Sequence, residues 1–338
     1  MPLVVGVDGG NTKTVALVCD LEGRIRGHGR GQSSNWEGMG FAQAAAVIGD
    51  ILGQALAMAK ATRAAIVWMH MGLAGMDWTE DETKMRESLA AAGWKCGMSL
   101  ENDAFSAVRA CAPGGSGIGI TAGTGVASGI IRPDGSRYFY GAFTDLGGGR
   151  DIDPQTLHAV VRAVDGRGPT TRLTEALLQA TGHATVTDLV YAIHRQRAHL
   201  PHGVTRRVLF STAAQGDPVA VGILARFAAE LALCATNLVH RYHLEQEAVP
   251  VVAAGSLFQK TGPLLFDLFR RSLQEGAPKA AAILADQPPL MGAVRGALTA
   301  IGRHEPELWE RIRQNAEARG WLRDEENAQQ QGDDNGEE

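Results

Sequence analysis

The sequence is poor in the features that mark secreted, zinc-bound or membrane-spanning chains. Its four cysteines, Cys19, Cys96, Cys111 and Cys234, lie far apart in 338 residues. They form no CxxC pair and no Cys/His spacing that suits zinc, so they read as buried free thiols. No apolar run approaches the ~20 residues of a membrane span, and the chain enters a strand-like VVGV with no basic segment ahead of it. A cytoplasmic protein with no membrane partner is therefore expected.

Charge of one sign is also scarce once the end of the chain is set aside. The formal net charge is -5, but residues 324–338 hold seven acids and no base, leaving 32 basic and 30 acidic groups on the other 323 residues. A nearly neutral body gives no field for wrapping a phosphate backbone, and aromatics, 6% of the chain, are not interleaved with Lys and Arg. Nucleic acid is excluded as an expected partner. The terminal stretch from Asp324 is polar and acidic enough to be disordered.

What is abundant is glycine, 42 residues, roughly 12% against a usual ~7%. It comes in short clusters between apolar runs, which excludes collagen and low-complexity architectures. The opening LVVGVDGG, NTKTVALVCDLEG and RIRGHGRG read as three strands punctuated by turns at Gly9-Gly10 and Glu22-Gly23. Helical periodicity follows over 41–60, a strand over 64–71, a helix over 79–92, a strand ending at Leu100 and a helix through Phe105 to Cys111. Asp103 stands where a residue would cap that helix.

After Pro113-Gly114-Gly115, the segment GIGITAGTGVASGIIRPDGSRYFY repeats the strand, glycine turn, strand, turn, strand pattern. Helices are expected near 153–165, 170–180, 184–195 and 217–243. A strand at 249–256, a further helix, a strand AAIL and a last pair of helices would complete the chain. The repeat implies two similar lobes.

Three glycine clusters each follow an apolar strand: Gly9-Gly10, Gly123-Thr124-Gly125 and Gly255-Ser256. Glycine lets backbone N–H groups approach an anion, and Thr or Ser adds donors, so such turns can cradle a polyphosphate. GGNTKT is not a Walker A loop, because Asn11 and Thr12 separate its glycines from Lys13. Asp8 at the mouth of that turn could hold a hydrated magnesium ion, or simply cap its own turn.

Taken together, VDGGNTKT, TAGTG and the late strand with Gly255-Ser256 resemble the superfamily of actin, the heat-shock ATPases and the sugar kinases. Within it, the chain resembles the N-acetylglucosamine kinases and the wider BadF/BadG/BcrA/BcrD ATPase family, to about residue 302. The resemblance implies an α/β, two-lobed actin-like ATPase (ribonuclease H-like) fold, a duplicated β-meander plus helices, with a cleft between lobes. It implies ATP and Mg2+ as cofactors. Gly9, Gly10, Asn11, Thr12, Lys13, Thr121, Gly123, Thr124, Gly125, Gly255 and Ser256 would meet ATP, and Asp8 would hold Mg2+ through water.

On the acceptor side, SSNW at Ser33–Trp36 and GLAG at Gly72–Gly75 are similar to segments that meet the sugar in those kinases. The resemblance implies Asn35, Trp36, Gly75, Asn102, Asp103 and Asp145 as sugar contacts. It implies Asp103, in ENDAFSAV, as the base that takes the proton from the attacking hydroxyl. One departure concerns acceptor identity. Relatives carry Trp-Gly followed by Gly-Asp-Glu-Gly-Ser, whereas this chain has YGAFTDLGGGRDI. Asp145 matches the Asp, Leu146 replaces the Glu, and Tyr140 or Phe143 replaces the Trp.

The domains expected are an N-terminal lobe over 1–113, a C-terminal lobe over 114–302, a C-terminal helix over 303–323 returning to the first lobe, and the acidic tail over 324–338. The function expected is an ATP-dependent amino-sugar kinase, for N-acetylglucosamine or glucosamine, phosphorylating the 6-hydroxyl in a cytoplasmic homodimer. Two alternatives stand beside it. One is a non-catalytic sugar or nucleotide sensor on the same fold; the other is an activator-type ATPase of acyl-CoA dehydratases, whose cluster-bearing cysteine has no counterpart in a glycine-rich context here.

Overall fold

The computed structural model describes residues 1–123, 125–140, 146–197, 199–200 and 203–318. Thr124, Asp145 and the acidic tail lie outside the described residues. The first meander forms as β1 (Leu3–Gly9), β2 (Lys13–Asp20) and β3 (Ile25–Gln32). The short α1 (Trp36–Met39) and the long α2 (Phe41–Met58) follow, then β4 (Ile66–Leu73), α3 (Thr79–Ala91), β5 (Gly97–Asn102) and α4 (Ala104–Cys111). The first sheet runs β3-β2-β1-β4-β5, antiparallel through the meander and parallel from β1 to β4 to β5.

The repeat supplies β6 (Gly117–Ala122), β7 (Val126–Ile131) and β8 (Arg137–Phe139). Five helices come next: α5 (Gly149–Val164), α6 (Leu173–Thr181), α7 (Val186–His194), α8 (Val204–Ala214) and α9 (Pro218–Arg241). The chain continues as β9 (Pro250–Ala254), α10 (Ser256–Lys260), α11 (Pro263–Gly276), β10 (Ala281–Leu284), α12 (Pro289–Ala300) and α13 (Pro306–Ala318). The second sheet runs β10-β9-β6-β7-β8. It reproduces the first order strand for strand, three consecutive strands at one end and two later ones at the other.

Helix α8 has no counterpart in the sequence reading. Its N-cap is Gly203 in the left-handed region (φ 71°), with no side-chain cap. The usual Ser, Thr, Asp or Asn start signal is therefore missing. A second difference concerns hydropathy: α2 and α9 are long and apolar enough to cross a membrane by length and composition alone. Their apolarity is used inside the fold, where α2 packs on β2 and β3, and α9 on α11 and α8.

The chain divides into two compact units. Unit 1 comprises Met1–Gly117, Ile130–Phe139 and the chain from Ala285 onward; unit 2 comprises Ile118–Gly129 and Tyr140–Leu284. In unit 1, alternate residues of β1 feed two cores. Val5 and Val7 join Ile48, Ile51, Leu52 and Trp94 on one face. Val4 joins Leu290, Met291 and Val294 of α12, with Leu308 and Ile312 of α13, on the other. Helix α12, assigned to the second lobe by the sequence reading, instead packs on β1, β4 and α4 of unit 1.

That packing depends on missing side chains. A Cβ at Gly292 would fall inside the carbonyl of Ser106, and one at Gly6 would meet the backbone of Val294. Gly292→Ala is therefore expected to lower stability by about 2–3 kcal/mol, the upper end of overpacking, because backbone cannot rotate away. Gly53→Ala is the control. It sits in α2 with open space around its Cβ, so it should raise the melting temperature slightly. Equal melting temperatures for the two variants would refute the close approach.

Candidate active site

In unit 1 the ends of β1, β4 and β5 and the segment after β3 are hydrogen-bonded into one polar surface. The β1–β2 turn closes through Gly10 N to Lys13 O at 2.9 Å, and Ala74 N donates to Gly9 O at 2.7 Å. Ser33 Oγ donates to Gly10 O at 3.0 Å, and Thr14 Oγ1 to Ser34 Oγ at 2.8 Å. Asn35 caps α1 by accepting from Glu37 N, while its Nδ2 donates to Asn11 Oδ1 at 2.5 Å and Glu37 Oε2 at 3.1 Å. Trp36 Nε1 donates to Gly75 O at 2.7 Å. Gly75 has φ 78°, and a Cβ there would press to 2.9 Å on both Asn35 Oδ1 and Trp36 Nε1. The acceptor segment, the GLAG turn and the first glycine turn are thus one assembly.

Asp103 follows β5 directly. It occupies the N-cap position of α4 yet makes no side-chain capping bond. Asn102 Oδ1 accepts from Ala104 N at 2.9 Å instead, and Asn102 Nδ2 donates to Asp77 Oδ1 at 2.8 Å. The capping bond expected for Asp103 is therefore made by Asn102. Burial, then the neighbouring Asp77 carboxylate, push the Asp103 carboxyl up to about 6, against the pull of the Ala104 and Asp103 backbone amides. Asp77 is itself raised, by burial and then by Glu37, while the Asn102 bond lowers it. A carboxylate held near neutrality, with like charge rather than a cation beside it, has the character of a general base.

Asp77 and Glu37 were not among the residues expected from the sequence. Asp77 lies two residues past the GLAG turn, and what brings it to Asp103 is the parallel pairing of β4 with β5, for which Leu73 stands opposite Asn102.

Below Asp103, Glu101 is fully buried and accepts from His70 Nε2 at 2.9 Å, Arg109 Nε at 2.7 Å and Arg137 Nη1 at 2.8 Å. Burial alone would raise its carboxyl; His70 and Arg109 instead hold it well below the usual carboxylate range.

Asp8 ends β1 beside this assembly. Among the described residues no group of three His, Cys, Asp or Glu could enclose a metal. A single strand-end carboxylate beside a glycine turn suits Mg2+, which keeps most of its waters and takes its remaining ligands from phosphate.

In unit 2 the second and third glycine clusters come together. Gly123 N donates to Gly125 O at 2.9 Å, and Gly149 N, at the start of α5, donates to Gly123 O at 2.9 Å. Gly148 takes φ 58°, where a Cβ would lie 2.6 Å from Gly125 O and 2.7 Å from Gly123 O. Ser256 Oγ lies 3.6 Å from the Cβ position of Gly123, and Gly255 (φ 99°) packs on Ala122. Thr121 Oγ1 is buried with no hydrogen-bond partner among the described residues. Polar hydroxyls and backbone amides at the start of a 16-residue helix make an anion-receptive surface. Thr121, Gly123, Gly125, Gly255 and Ser256 are expected from the sequence; Gly148 and Gly149 are not, although they stand in the GGG run of the altered loop.

The sequence profile of the BadF/BadG/BcrA/BcrD ATPase family matches residues 5–300. The chain belongs to this family. ATP is accordingly the nucleotide of the BadF/BadG/BcrA/BcrD ATPase reading. The chain is 26% identical over 305 residues, 87% of its length and 97% of the relative's, to the N-acetylmuramic acid/N-acetylglucosamine kinase of Clostridium acetobutylicum. It is 25% identical over 313 residues, 91% of its length and 99% of the relative's, to the glucosamine kinase GspK of Vibrio cholerae. A ROK family glucokinase from Streptomyces griseus, solved with glucose and AMPPNP, shares the fold with a TM-score of 0.53 at 20% identity, covering 87% of this chain and 98% of that one. The two-lobed α/β sugar-kinase fold expected from the sequence is the fold observed.

Proposed function

We propose that the protein is an ATP-dependent amino-sugar kinase acting on N-acetylglucosamine or glucosamine, with Asp103 as its general base. The observation that carries this reading is the direct hydrogen bond from Asn35 to Asn11. It joins the acceptor segment to the first glycine turn within the unit that also holds Asp103.

In this reading the sugar lies on Asn35, Trp36, Gly75 and Asn102, and its 6-hydroxyl gives its proton to Asp103 while the oxygen attacks the γ-phosphorus. The Gly9–Lys13 turn would meet phosphate. Thr121, Gly123, Gly125, Gly255 and Ser256 would meet the nucleotide. Mg2+, held by Asp8 through water, would neutralise charge on the transferred phosphoryl group. The base and the phosphate turns would supply positioning and charge stabilisation. Family precedent extends the proposal to a cytoplasmic homodimer.

The test is ADP release from Mg-ATP with glucosamine, N-acetylglucosamine, N-acetylmannosamine, N-acetylmuramic acid and glucose. Stimulation by an amino sugar supports the kinase and names its acceptor. ATP binding without stimulation by any sugar would favour a sensor. The pH dependence is a second check. Asp103 serves as a base only when ionised, so kcat/KM should rise about tenfold per unit below pH 6 and level off above it. A flat profile from pH 5 to 8 would count against Asp103 as the base.

A further inference from the structure

Unit 2 contains a groove of about 570 Å³ between α5 and the first turns of α9, roofed by the Gly168-Pro169 loop. None of the residues assigned to nucleotide or sugar lines it. Its first lining residue on α5, Gln155, stands six residues past Gly149, on the order of 9 Å along the helix from the glycine turn at a 1.5 Å rise per residue.

Its lining combines apolar Ala159, Val219 and Ile223 with His158, Arg162 and Arg226, and no acid is among the lining residues. Arg226 and His158 have no ion-pair partner among the described residues. Arg162 spends one Nη on the carbonyl of Arg167 at 2.9 Å. Two carboxylates nearby in sequence, Asp165 and Asp217, are already committed, and Glu230, one turn along α9 from Arg226, makes no ion pair with it among the described residues. Asp165 is held by Arg167 through bonds of 2.6 and 2.8 Å, and Asp217 accepts from Thr171 Oγ1, Arg172 N, Val219 N and Ala220 N. The groove therefore offers two guanidinium groups and an imidazole together with apolar side chains, in a volume typical of small-molecule sites.

We propose that this groove binds an amphipathic organic acid, its carboxylate on Arg162 and Arg226 and its apolar body against Ala159, Val219 and Ile223. Guanidinium forks match carboxylate geometry, and such charge-assisted bonds are stronger than neutral ones. The neighbouring groove between α5 and α7 is lined by Val161, Val186 and Tyr191 but also by Asp165. His194 and Arg195 line it too, so it is the control for a groove in which a carboxylate already stands beside the cationic groups.

The test is a fluorescence titration of the full chain with 8-anilinonaphthalene-1-sulfonate, followed by displacement with decanoate or with uncharged decanol. Saturable binding is expected, reversed by decanoate and not by decanol. Arg162→Gln with Arg226→Gln should weaken it about tenfold, whereas Tyr191→Ala in the other groove should leave it unchanged. Far-ultraviolet circular dichroism and sugar-stimulated ADP release report that the variants remain folded. Absence of saturable binding, unchanged affinity in the double variant, equal displacement by decanol, or loss in Tyr191→Ala would each overturn the proposal. None of these outcomes bears on the kinase reading, which rests on other residues.

Discussion

Asp103→Asn is expected to reduce sugar-dependent ADP release by roughly 10²–10⁴-fold, the range of a positioned general base, while making the protein more stable at neutral pH. The two effects share one cause. The folded environment raises the Asp103 carboxyl from 3.8 to about 6, so the fold disfavours the charged form that catalysis requires. An aspartate raised in this way contributes no penalty at pH values below its unfolded pKa. The penalty grows as pH rises through the window from 3.8 to about 6 and is constant above it. At pH 7.5 the amide variant escapes a cost on the order of 1–2 kcal/mol, allowing for the partial exposure of the group. Its melting temperature should therefore exceed that of the parent by a few degrees at pH 7.5 and match it near pH 4. Removing one charge of the pair also relieves Asp77, which adds in the same direction. ATP binding should persist. Normal turnover in the variant, or a melting difference independent of pH, would remove Asp103 from the role of base.

The capping reading of Asp103 shows where sequence signals run out. Asn102 and Asp103 are both capping residue types before the same helix, and local pattern cannot say which carboxamide or carboxyl reaches Ala104 N. The choice is made by β5, which extends through Asn102 and leaves Asp103 in helical backbone geometry (φ -58°, ψ -25°). The duplicated meanders were legible because their strands and glycine turns are contiguous in sequence. The place of α12 was not, because the contacts of Gly6 with Val294 and of Gly292 with Ser106 join segments with no local signal of each other. The same holds for Asp77, which the sheet rather than the motif brings to Asp103. Of the residues expected at the site, those on glycine turns could be read from residue type alone. Thr124 and Asp145, expected at phosphate and acceptor, lie outside the described residues.

The largest loss of stability is expected from Glu101→Gln. Glu101 has no solvent exposure and is held by His70, Arg109 and Arg137, with Arg109 itself only 14% exposed. The amide keeps the shape but removes the negative charge that Arg109 and Arg137 share, leaving Arg109 buried with nothing to neutralise it. Breaking one partner of a buried ionic cluster costs about 3–5 kcal/mol. Arg137→Gln should cost less, because Arg137 Nη2 also reaches Glu82 at the surface and Glu101 keeps the Arg109 fork. The pH dependence follows from the sign of the shift. The Glu101 carboxyl is depressed in the fold, so its contribution is complete above the ordinary value of 4.5 and is lost as pH falls below it. The gap in melting temperature between parent and Glu101→Gln should thus be wide at pH 7 and narrow below pH 4, opposite in direction to the Asp103→Asn gap. Glu101 lies at the end of β5 and Asp103 just past it, separated by Asn102. The strand therefore anchors a stabilising carboxylate under a destabilised one, and Glu101→Gln should lower turnover as well by loosening the backbone that presents Asp103. A melting temperature within a degree of the parent at pH 7 would show that the cluster is not what fixes that strand end.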